Sequence, residues 1–166
     1  PYEHPRLVFD AATLAEFRSL ARSRDGHRAL SQLRQYVDAH RLSIMEDGEY
    51  RVTDRAGDDG GFGTDNTVSA TLAADALLAL VDADADRARR VIRWMMGTAV
   101  EQRLAIDRSL PNTDDWRNRY HDILQRRAIA LLYDWMYPWM DDAERATIRG
   151  IIADATRHKW SIGMYA

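Results

Sequence analysis

Cysteine is absent from this 166-residue chain, so neither a disulfide nor a thiolate metal site can form, and the redox compartment is left open. Lysine is almost absent: Lys159 is the single one among 23 basic residues, and the rest are arginine. We read this as compositional bias, because either residue serves on most solvated faces. No window approaches the roughly 18 consecutive apolar residues of a membrane span, so no spanning helix and no membrane partner are expected. Charge of one sign is lacking too. A net charge of -3, mixed along the chain, provides no field for nucleic acid.

Signatures of cofactor and metal chemistry are missing as well. The stretch "GGFG" (60–63) lacks the Lys-Ser/Thr of a phosphate loop, and no βαβ pattern comes after it. The histidines, at 4, 27, 40, 121 and 158, never fall at the spacing that places two ligands on one helix face. There is no His-Glu-x-x-His and no Gly-x-Ser-x-Gly. Neither cofactor nor metal is expected. The opening "PYEHPRLVF" has no basic start and no apolar h-region, and so is not a signal peptide; a mature secreted protein would look the same.

What is present is helical periodicity, with almost no strand signal. Asp10 is placed to cap a first helix over about 11–23, with Leu14, Phe17 and Ala21 on one stripe. A second, over about 26–42, carries Leu30, Leu33, Val37 and Tyr36. The stretch 45–66, rich in Gly and Asp, reads as a long loop, with Asn66 at its end capping the third helix. That third helix, residues 67–81, "TVSATLAADALLALV", is apolar or small nearly all round, with Asp75 its one charge. A fourth over 86–104 has a single stripe, Ala88, Val91, Ile92, Met95 and Ala99, opposite Arg89, Arg90, Arg93 and Glu101. A second polar connection, 105–117, leads to a fifth helix over 118–137, apolar all round in its second half. Pro138 ends it, and "MDDAER" caps a sixth over 142–160.

Two alternations organise these helices. A helix apolar on every side must be covered on every side, whereas a one-faced helix lies at a surface. Helices three and five are of the first kind, four and six of the second. Turns from buried to peripheral helices are short, and connections back are long. Inner helices wrapped by outer ones, in helical hairpins around a ring, produce both patterns. The expected fold is all-α, part of an (α/α) toroid of about three hairpins, with inner and outer helices alternating. No period of about 34 residues supports a tetratricopeptide-like array.

Two stretches resemble a known family. "HPRLVFDAATLAEFRSLA" (4–21) resembles the opening of heparinase II/III-like polysaccharide lyases and the related oligoalginate lyases. "RRAIALLYDWMYPWMDDAERATIRGIIADA" (126–155) resembles the same family's helical hairpin with its Tyr-Asp-Trp run. The intervening "TLAADALLALVDADADRARRVIRWM" (71–95) also fits the family's pattern, so the resemblance covers most of the chain. It implies an N-terminal toroid, a β-sandwich region beyond this sequence, and β-elimination of a uronate-containing glycan. The implied partners are an acidic polysaccharide or oligosaccharide and the C-terminal remainder of the protein, and the implied location is periplasmic or secreted. Nothing in 1–166 matches the family's Asn-His segment, so no catalytic residue is assigned.

In such toroids the long loops feeding the inner helices build the cleft. That makes "PNTDDWRNRYHD" (111–122) the candidate substrate site, through Asn112, Asp115, Trp116, Arg117, Arg119 and His121. Trp116 could stack on a sugar ring, and Arg117 or Arg119 could grip a uronate carboxylate in bidentate fashion. The plainer alternative is that Asp114 or Asp115 caps the helix while Trp116 staples it. Asp58, Asp59 and Asp65 in the other loop do not match EF-hand spacing, and a lid is the expected reading there. Asp134, within "LLYDWMYPWM" (131–140), sits at the short-turn end and is expected to be structural: a buried carboxylate bonded to an arginine or to backbone donors. A non-catalytic helical binding or interaction module is the rival function. Finally, half a ring should leave an apolar flank near Leu131, Leu132, Trp135, Ile151, Ile152 and Trp160.

Overall fold

The computed structural model of the chain describes residues 7–46, 49–50, 62–108 and 129–161. Among them the fold is all-α, with one very short ladder. Helix α1 is Ala11–Ala21, α2 is Arg24–Ile44, α3 is Phe62–Asp82, and α4 is Ala85–Arg108. Helix α5 covers 129–136 of the described residues. A 3-10 turn, Tyr137–Trp139, leads to α6, Asp142–Ser161.

Local chemistry sets the outer ends. Asp10 and Thr13 form a reciprocal capping box at α1: Thr13 N–H donates to Asp10 Oδ1 at 2.8 Å, and Asp10 N–H donates to Thr13 Oγ1 at 2.8 Å. Helix α2 begins at Arg24, earlier than expected, because its cap is Ser23, whose Oγ accepts from the Gly26 N–H at 3.1 Å. Gly26 then lies in the first turn, against the end of α1. A Cβ there would stand 2.0 Å from Leu20 O, so only glycine permits this joint.

The expected loop 45–66 needs two corrections. Met45–Glu46 pairs antiparallel with Glu49–Tyr50, and the intervening dipeptide, Asp47-Gly48, is the sequence that tight hairpins favour. Helix α3 also starts at Phe62, so Asn66 is inside the helix and does not cap it. One glycine near a helix start costs at most about 1 kcal/mol, too little to hold off the helix.

At its far end α3 turns into α4 through Ala83, the one described non-glycine residue with positive φ, 54°. The Asp84 N–H reaches back to Ala79 O at 3.1 Å, the six-residue closure of a left-handed helix end. Asp84 then caps α4 by accepting from the Arg87 N–H at 3.0 Å. Helix α4 runs on to Arg108, so the polar connection expected from 105 begins later. Helix α5 gives way to the 3-10 turn at Tyr137, just before Pro138, because the residue preceding a proline is driven from helical geometry.

Packing obeys the inner and outer distinction. Helix α3 lies between α2 and α4, α1 packs on α2 and α3, and α6 packs on α4. Leu72, Ala76, Leu78, Ala79 and Leu80 of α3 are all buried. Ala88, Val91, Ile92 and Met95 of α4 are buried, as their stripe predicts, while Arg93 is exposed. The main core joins these to Ile129, Leu132, Trp135 and Met136 of α5 and Ile148 of α6. A smaller cluster, Leu30, Val37, Ala74 and Leu78, fastens α2 to α3.

Two expectations about exposure are overturned. Tyr36 is exposed: six residues beyond Leu30 is a rotation of about 240°, off the α2 stripe. The apolar flank is also not found at its expected position. Leu132, Trp135 and Ile151 are buried, and Leu131 and Ile152 are half-buried, because α4 and α6 close over α5 in one core. The side chain of Trp160 lies outside the described part.

Candidate functional site

The sequence-predicted substrate residues, Asn112, Asp115, Trp116, Arg117, Arg119 and His121, lie outside the described residues, as do Asp58, Asp59 and Asp114. Asp65 falls within α3. What the structure does describe is the scaffold to which that connection is attached, with three polar centres in it.

The first is at the α3–α4 end. Asp75 is fully buried on α3 and forms an ion pair with Arg87 of α4. A carboxylate this deep requires a counter-ion, and the guanidinium on the first turn of α4 supplies it. Arg87 also stands 3.6 Å from Asp84 Oδ2 through its Nε. The Asp84 carboxyl is held below its ordinary value, first by the backbone N–H of Arg87 and then by the positive charge of Arg87 and Arg90. Thr71, one turn before Asp75, is fully buried as well.

The second centre joins α4 to α6. Arg89 grips Glu144 with two bonds, Nη1 to Oε2 at 2.9 Å and Nη2 to Oε1 at 2.7 Å, and Nη1 also donates to Trp139 O at 3.0 Å. Glu144 is itself part of the α6 cap: its Oε2 accepts from the Asp141 N–H at 3.0 Å, while Asp141 Oδ1 accepts from the Glu144 N–H at 2.8 Å. Arg89 bonding lowers the Glu144 carboxyl, helped by the Asp141 backbone, and the same bond raises the Arg89 guanidinium. Sequence periodicity puts Arg89 on the open face of α4; it is instead drawn in by α6. Beside it, Arg145 lies over the Tyr137 ring at 4.2 Å.

The third centre is Asp134. The residue is 2% exposed, and its carboxylate accepts from the Leu7 N–H at 2.9 Å, across 127 residues of sequence. Phe9, two residues on, has its ring centroid 5.8 Å from Trp135 and 5.2 Å from Phe17. The structural reading of Asp134 therefore stands on a backbone donor. The two stretches that carry the family resemblance, around Leu7 and around Asp134, touch each other.

In all three centres a carboxylate is tied to arginine or to backbone N–H. The first two fix helices relative to each other, and the third ties the segment before α1 to α5. Among the described residues no group of three or more His, Asp or Glu could hold a metal ion. No described helix is long and apolar enough to cross a membrane. Sequence reasoning misses the Asp75–Arg87 and Arg89–Glu144 pairs. The lone charge in an apolar helix is the available signal for the first, and nothing local signals the second.

Comparison with protein-family models, with curated proteins and with solved structures gives no match to this chain.

Proposed function

We propose that the chain is the N-terminal toroid portion of a polysaccharide lyase that cleaves uronate-containing glycans by β-elimination, and that it binds acidic oligosaccharide without performing the chemistry itself. The observation that carries this reading is the contact between the two resembling stretches, Leu7 N–H to Asp134 and Phe9 to Trp135. Residues far apart in sequence that resemble one family and meet in space are what a shared architecture requires. The buried α3 beside the one-faced α4 and α6 supports the inner and outer arrangement of a toroid. The three described centres engage their carboxylates structurally, which leaves substrate contact to the connection before α5, with Trp116 as sugar platform and Arg117 or Arg119 as uronate clamp.

The test is calorimetric binding of uronate oligosaccharides and of neutral ones of equal length, with ultraviolet absorbance monitored for unsaturated product. Binding of the acidic oligosaccharides alone, weakened about tenfold or more by Arg117→Ala or Arg119→Ala, is the expected result, since a lost bidentate charge contact is worth at least about 1.5 kcal/mol. Sustained product formation by this chain would overturn the division of labour. Equal or absent binding of both sugars would favour an interaction module.

A further inference from the structure

We draw no further inference here: the strongest candidate, the arginine cluster at the α3–α4 turn, where the Nε of half-buried Arg90 is buried without a hydrogen-bond partner, belongs to the Asp75–Arg87 centre already described, and the charge of Arg90 already acts on the Asp84 carboxyl there.

Discussion

Helices α1 and α3 show two ways in which one chain specifies a helix. Helix α1 buries Leu14 alone, and its start is written locally in Asp10 and Thr13, so a few adjacent residues define it. Helix α3 is buried from Thr71 to Leu80 at all but two positions, Ala73 and Leu77, and its end is completed from elsewhere: Arg18 of α1 donates to Leu80 O at 2.6 Å. The buried charge Asp75 pairs with Arg87 of the next helix. A peripheral helix is thus defined by its ends and an inner helix by its neighbours. Substitutions should sort accordingly.

The largest effect is expected where an inner helix loses a neighbour. Arg87→Met removes the counter-ion of Asp75 and should lower stability by about 3–5 kcal/mol, read from denaturant unfolding. A loss below about 1 kcal/mol would put the pair on the same footing as a surface contact and dissolve the contrast with α1. Gly26→Ala comes next. The new methyl group must displace Leu20 O at the α1–α2 joint, and overpacking against backbone should cost about 3 kcal/mol. A neutral result would mean that α1 shifts freely on α2.

The Arg89–Glu144 pair gives a smaller effect with a pH signature. The Glu144 carboxyl is lowered on folding from its ordinary value of 4.5. Its contribution is therefore complete above that value and is lost as pH falls through the lower, folded one. Glu144→Gln should cost about 1.5–3 kcal/mol at neutral pH, the worth of hydrogen bonds to a charged group. The difference from the unmodified chain should close as pH drops through about 4 and below, because both chains then carry a neutral group. A gap that persists in acid would show that packing, and not the charge, is what α6 gains there. The smallest effect belongs to Arg34–Asp82. This bridge, at 2.7 Å, joins α2 to the end of α3 with both side chains 34% exposed. Arg34→Ala should cost under about 1 kcal/mol, and less in high salt.

The same contrast explains which features are legible in the sequence. Asp10 marks the α1 start, and the acidic run at 141–144 marks the α6 start, because caps are contacts between near neighbours. Periodicity and composition give the buried stripe of α4 and the all-round burial of α3. The true start of α3 lies several residues before Asn66, which has the chemistry of a cap, because the glycine at 63 costs too little to hold off the helix. Arg89 escapes a local reading because α6 reaches it from 55 positions away. The misplaced apolar flank has the same origin: exposure of Leu132 and Ile151 depends on how α4, α5 and α6 close, which no single stripe records. The position of Asp134 in its helix marks it as structural, but its partner, the Leu7 N–H, lies far outside any local window. The proposed substrate residues, 112–121, rest on residue chemistry and loop position.

If the described part of the chain is scaffold, the buried charge of Asp75 serves to hold inner helix to outer. A double-mutant cycle on Asp75 and Arg87 tests this most directly, by denaturant unfolding of Asp75→Leu, Arg87→Met and the double variant. The scaffold role predicts a large loss for Arg87→Met and recovery to within about 1–2 kcal/mol of the unmodified chain in the double variant, since an apolar pair can replace a buried ion pair once neither charge is left behind. A double variant no more stable than the worse single one would contradict it, and would give Asp75 a role beyond pairing with Arg87.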